Sequence, residues 1–134
     1  MKDLHIGRTF VYQMDEAITA EIISEYADAS GDKNAIHLDD HAAKEAGFSK
    51  PVVHGMWSCG LAVSAVQQWF GVGIFIHYLE TSFINPLLQG DQLTITGEIV
   101  RVTFDDFSVK IGGVNQAEQV IFRGEFRLKE GLHE

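Results

Sequence analysis

Cysteine occurs once in these 134 residues, at Cys59, and proline only twice. A single thiol cannot close an intramolecular disulfide or build a multi-cysteine metal site, and it fits a reducing, cytoplasmic compartment. Two prolines leave no candidate linker, and no internal repeat or low-complexity stretch divides the chain. Basic residues are scarce as well: ten Lys and Arg stand against nineteen Asp and Glu, a net charge of −9. The ten are scattered, so the surface repels a phosphate backbone and nucleic-acid binding is not expected. Between Met1 and Phe10 there is no apolar core, so no secretory signal is expected either.

Charge disappears altogether between Lys50 and Glu80. Gly55 to Ile76 is long enough to cross a bilayer. It also carries Gln67 and Gln68 at its middle and four glycines, two of them (Gly71 and Gly73) just after Phe70. No Lys or Arg flank orients it. The better reading is a helix enclosed by its own protein, with no membrane span. With 46% apolar and 22% charged residues the composition is globular. A single domain over residues 1–134 can bury roughly two-thirds of its unfolded surface, enough for a core.

Hydrophobic periodicity changes character along the chain. Thr19 can cap a helix with Glu21 in its first turn and Ile22, Ile23, Tyr26 and Ala27 on its apolar face, stopped by Gly31. Asp32 to Leu38 reads as a loop. Asp39 then caps a short helix from Asp40 to Ala46, ended by Gly47. His54-Gly55 opens the apolar helix that runs to about Phe70, with Met56, Trp57, Leu61, Val63 and Val66 around it. Residues 74 to 128 read mostly as strand. Gly90-Asp91 introduces one at Gln92 to Thr96 that continues through Ile99 and Val102. Asp105-Asp106 reads as a hairpin turn before Phe107 to Ile111. A last strand from Gln119 to Leu128 puts Val120, Phe122, Gly124, Phe126 and Leu128 on one face. Short connections pair such strands antiparallel, so the expected architecture is α+β: a curved antiparallel sheet wrapped around one long apolar helix.

Two segments can carry chemistry. In YADASGDKNAIHLD, Tyr26 to Asp39, a helix end is followed by Asp32, Asn34 and His37 within six residues. A carboxylate and an imidazole on one short loop can converge on one water as acid and base. The ordinary alternative is that Asp32 and Asn34 satisfy backbone donors past a helix end, with His37 a structural donor. In PVVHGM, Pro51 to Met56, a glycine at a helix start leaves a backbone N–H facing outward, where a developing oxyanion could sit. Gly55 could equally be there to let the backbone pass closely. His37, Asp39, Asp40 and His41 lack the spacing of a metal motif, and no metal is expected. Cys59 reads as inert packing, and Trp57, Trp69 and Phe70 as core. There is no phosphate-binding glycine loop and no nucleophile elbow.

Taken together, SGDKNAIH and PVVHGM resemble the MaoC-like, (R)-specific enoyl-CoA hydratase family. Tyr26, Ser30, Gly31, Asp32, Asn34, Ile36, His37 and Asp39 match its central pattern, and Phe83-Ile84-Asn85-Pro86 with Gly90-Asp91-Gln92-Leu93 resembles its later strand and turn. Ala35 departs from the pattern, standing where the family has proline. The resemblance implies a hot-dog fold and a homodimer, or dimer of dimers, joined through sheet edges. It implies a lyase of fatty-acid metabolism that hydrates a trans-2-enoyl-CoA to an (R)-3-hydroxyacyl-CoA without a cofactor. Asp32 would activate the water, His37 would share it, and the Gly55 N–H would hold the thioester oxygen. Asn34 would orient the loop, and His54 would support the turn. Met56 is a substrate-side candidate, and Gly60, Val63 and Val66 would line an acyl tunnel. The same residues would serve a dehydratase acting on an acyl-carrier-protein thioester. A thioesterase or a thioester-binding subunit without turnover are the remaining readings, which the Asp32/His37 spacing disfavours.

Overall fold

The computed structural model describes residues 4–131. Residues 1–3 and 132–134 of the expected single domain lie outside the described residues. Nine elements follow in chain order: β1 (Thr9–Gln13), α1 (Ala20–Ser30), α2 (Ala35–Leu38), α3 (Asp40–Glu45), α4 (Gly55–Phe70), β2 (Phe75–Phe83), β3 (Thr94–Val102), β4 (Phe107–Val114) and β5 (Val120–Lys129). The five strands make one antiparallel sheet in the order β1-β3-β4-β5-β2. This is the hot-dog arrangement, a sheet curled around α4.

Local chemistry sets most boundaries. Thr19 Oγ1 accepts from the Ile22 N–H at 3.1 Å, and Gly31, at φ 81°, ends α1 in the left-handed region that a side chain would resist. Asp39 Oδ2 accepts from the Ala42 N–H and caps α3. The turn before β4 closes through Thr103 N–H to Asp106 O at 2.8 Å. One expectation needs correction, and one element has no counterpart in the sequence reading. Residues 32–38 are not all loop, because Asn34 Oδ1 accepts from the Ile36 N–H and starts the one-turn helix α2. And β1 carries no element in the sequence reading: five residues, of which Thr9, Val11 and Gln13 face outward, are too short to show a period.

The core lies between α4 and the sheet. Ala62, Ala65 and Val66 of α4 are fully buried against Ile95, Ile99, Val109, Phe122, Phe126 and Leu128. Each large side chain so buried contributes roughly 1.5–3 kcal/mol. The helix is not enclosed on every side, however. Met56, Gly60, Ser64 and Gln68, spaced by four, form an exposed strip along it. Among the described residues no helix is long and apolar enough to cross a membrane.

Away from the core, β2 is held at its bulge by a polar cluster. His77 Nε2 lies 3.2 Å from Asp106 Oδ2, Arg101 reaches the other carboxylate oxygen at 3.4 Å, and the Thr103 hydroxyl donates to it. The Thr103 hydrogen bond, helped by Arg101 and His77, holds the Asp106 carboxyl below its ordinary value. A carboxyl lowered by folding stabilises the fold above the unfolded value and stops doing so as pH falls through the folded one. Asp106→Asn is therefore expected to remove part of the stability lost between neutral pH and strong acid. Urea unfolding across that range would show it as a flatter acid limb.

Candidate active site

The segment after α1 is organised by side chains bonding two residues ahead. The Asp32 N–H donates to Ser30 Oγ, the Asn34 N–H to Asp32 Oδ1, and the Ile36 N–H to Asn34 Oδ1. This chain of short turns holds Asp32 by one carboxylate oxygen and leaves Oδ2 directed at His37. Asn34 shapes the loop through its side-chain bond to the Ile36 N–H and is not among the residues walling the cavity beside it.

His37 sits in α2 with its ring largely covered, its side chain 10% exposed against 55% for Asp32. Its Nδ1 lies 2.5 Å from the Val52 carbonyl. A carbonyl only accepts, so the ring donates a proton from Nδ1 to Val52, and Nε2 is the ring nitrogen turned to Asp32. Nε2 and Asp32 Oδ2 are 3.7 Å apart, beyond a direct hydrogen bond, so both face one small cavity. The Val52 carbonyl that decides the tautomer is backbone, and no residue type in the sequence announces it.

His54 is the hub beneath them. It is buried, its Nε2–H donates to the Asp32 carbonyl at 2.9 Å, and its ring stacks on His37 at 3.7 Å between centroids. Tyr26 meets the same ring edge-on. His54 Nδ1 is buried without a hydrogen-bond partner among the described residues. His54 thus ties the start of α4 to the loop through the Asp32 carbonyl and forms part of the cavity wall.

Gly55 opens α4, and the helix start has no side-chain cap. Among the described residues its N–H makes no hydrogen bond, so a free donor and the positive helix end face the same space as Asp32 and His37. That cavity, about 190 Å³, is walled by Tyr26, Ser30, Asp32, His37, His54, Gly55 and Met56. The Phe83 ring packs on Gly55, and a Cβ there would come within 3.1 Å of it. Nothing in the spacing of the sequence marks Phe83 as a neighbour of Gly55.

The three tunnel candidates, Gly60, Val63 and Val66, all lie on α4. Gly60 is on the exposed strip of α4, Val63 packs partly buried against the core, and Val66 is fully buried where the sheet closes over the helix. None lines a cavity at Gly55. Cys59 is buried and burial pushes its thiol up, which fits packing rather than attack.

Asp32, His37 and His54 bring one ligand atom each within 4.8 Å of the others. The two rings are stacked at 20°, so their in-plane lone pairs run side by side. They cannot both reach one ion at the ~2.0–2.1 Å of a zinc–nitrogen bond. The His37, Asp39, Asp40, His41 set does not gather, since Asp39 caps α3 and His41 pairs with Glu45.

One variant tests the loop. Asn34 has ψ 135°, the extended conformation required before proline, and the Ala35 N–H makes no hydrogen bond among the described residues. Proline at the first helical position is favourable. Ala35→Pro is therefore expected to raise stability by about 0.4–1 kcal/mol, read from the denaturation midpoint.

The hot-dog sheet and a carboxylate–imidazole pair facing a helix N-terminus define a class of protein, and comparison with known proteins names its family. The family model described as MaoC like domain matches residues 3–120, and the chain belongs to that family. It is 25% identical to the 3-hydroxybutyryl-CoA dehydratase of Methylorubrum extorquens, over 96% of this chain and 82% of that one. It is 28% identical to the fatty acid synthase subunit beta of Gibberella zeae over 87% of its own length, but spans only 6% of that protein. Among solved structures, the (R)-hydratase from A. caviae involved in PHA biosynthesis superposes with a TM-score of 0.89 at 25% identity, covering 97% of this chain and 99% of that one.

Proposed function

We propose that this protein is a lyase that reversibly hydrates a trans-2-enoyl-CoA to the (R)-3-hydroxyacyl-CoA. The observation that carries the reading is the cavity in which Asp32 Oδ2 and His37 Nε2, 3.7 Å apart, share a wall with the unbonded N–H of Gly55. A water held by the carboxylate and the imidazole attacks C3, and its proton passes to the pair. Electrons move from the C2–C3 double bond onto the thioester oxygen, where the Gly55 N–H and the helix end stabilise the enolate. The proton then returns from the pair to C2 as the carbonyl re-forms. The elements of water are added and nothing else is consumed, so the reaction calls for no cofactor. The proton on His37 Nδ1, held by Val52, keeps Nε2 available for the water throughout.

The active form in this reading is a homodimer, placed in the cytoplasm. β2 is an edge strand of nine residues whose exposed Phe75, Tyr78, Leu79 and Phe83 would be costly to leave in water. Pairing with a second copy covers them. Light scattering on the purified protein should give at least twice the 14.9 kDa chain mass.

The deciding assay is hydration of crotonyl-CoA, followed at the enoyl absorbance with chiral analysis of the product. (R)-3-hydroxybutyryl-CoA is the expected result. Release of free CoA would make the protein a thioesterase. Turnover confined to carrier-protein thioesters would move it to the acyl-carrier-protein dehydratases.

A further inference from the structure

One short stretch, Val52 to Gly55, holds three groups of the proposed site, each by a different means. The Val52 carbonyl accepts from His37 Nδ1, the His54 ring donates to the Asp32 carbonyl, and Gly55 presents its own N–H. The stretch is itself pinned through its backbone. The Val52 N–H donates to the Ile36 carbonyl at 3.0 Å and the Val53 N–H to the Leu87 carbonyl at 2.8 Å.

His37 and Gly55 are therefore placed by main-chain atoms of the stretch that any residue type would supply. Asp32 is not. Its N–H donates to Ser30 Oγ and its carboxylate accepts from the Asn34 N–H, and both bonds close within its own loop. Among the described residues, the 2.9 Å bond from His54 Nε2 is the one hydrogen bond that ties Asp32 to a residue outside that loop.

For packing alone, the ring that makes this bond is a poor choice. His54 is 4% exposed and lies against the rings of His37 and Tyr26, yet its Nδ1 finds no hydrogen-bond partner among the described residues. A buried acceptor left unpaired lowers stability, and an apolar ring of similar shape would carry no such group. Asp32 lies in an exposed run of the loop, so water can replace the ring N–H at its carbonyl. Stability thus favours a ring without nitrogens at position 54, and the nitrogen is accounted for by what it places.

We propose that His54 is a positioning residue for the hydration. Its Nε2–H sets where Asp32 stands relative to the Gly55 N–H, so that the group activating water and the donor holding the enolate oxygen stay in register. The inference rests on the reaction proposed above and adds to it a residue that acts through Asp32.

Two variants separate position from packing. His54→Phe keeps the ring contacts and loses the N–H. It should lower kcat for crotonyl-CoA about 10–10²-fold with KM held within about twofold, because a small displacement of a catalytic group is felt in turnover. Its urea midpoint should be no lower than that of the wild type. His54→Gln returns an N–H at the reach of Nε2 but gives up the stacked ring. It should unfold at lower urea than His54→Phe and yet turn over faster. A less stable variant that is the more active one is a result a merely structural role does not produce. Turnover that follows the folded fraction in both variants would overturn the proposal, as would a glutamine variant no faster than the phenylalanine one. His54→Met takes the place of His54→Phe if that variant does not fold. Hydrogen exchange keeps the inference separate from the reaction. Amides of residues 31–36 should exchange about tenfold faster in His54→Phe than in the wild type, even if the wild type hydrates nothing. Unchanged exchange there would overturn the proposal.

Discussion

Asp32→Asn should lower enoyl-thioester hydration by about 10²–10⁴-fold while leaving the fold in place. The substitution keeps an oxygen where Asp32 Oδ1 accepts from the Asn34 N–H, so the loop retains its shape. It removes the charge that takes the water proton. Asp32 is more than half exposed, and the thermal midpoint should move little. His37→Gln should cost a comparable factor in turnover and more in stability, because it loses the stack on His54 as well as the ring nitrogen facing Asp32. Measuring kcat and thermal unfolding side by side separates the two effects. Near-wild-type hydration by both variants would remove Asp32 and His37 from the mechanism.

Gly124→Ala should be the most damaging single methyl group in the sheet. A Cβ at Gly124 would lie inside contact distance of the Glu80 carbonyl oxygen and press on Thr81. Gly124 and Thr81 face each other where β5 pairs with β2, so the obstacle is backbone and no side-chain rotation clears it. Relief requires β2 to draw away. Overpacking of this kind costs about 1–3 kcal/mol, and more where backbone must move. The consequence reaches the site, because β2 ends in Phe83, which packs on Gly55, and forms the edge at which a second copy would pair. Chemical denaturation should show a lower midpoint, and light scattering a larger share of single chains. Unchanged stability would mean that the β2–β5 contact is looser than the structure has it.

Much of this protein can be read from its residues. Thr19, Gly31 and Asp39 mark helix boundaries through bonds local enough to be visible as spacing. The charge-free run from Gly55 to Phe70 identifies the enclosed helix, although an i, i+4 strip of it faces out. Asp32, Asn34 and His37 stand close in sequence and remain close in space, since turns spanning two residues cannot separate them. These contacts close within a few residues, so local chemistry determines them.

What lay beyond reading are contacts made by groups far apart or by groups every residue possesses. The Val52 carbonyl that sets the His37 tautomer is common to all residue types. Phe83 reaches Gly55 only because β2 returns along the sheet to the start of α4, and Val66 is sealed off only because the strands close over it. The candidate chemical groups were determined by the sequence itself. The His37 tautomer and the packing of Phe83 on Gly55 were decided by tertiary structure, because each depends on where distant segments come to rest.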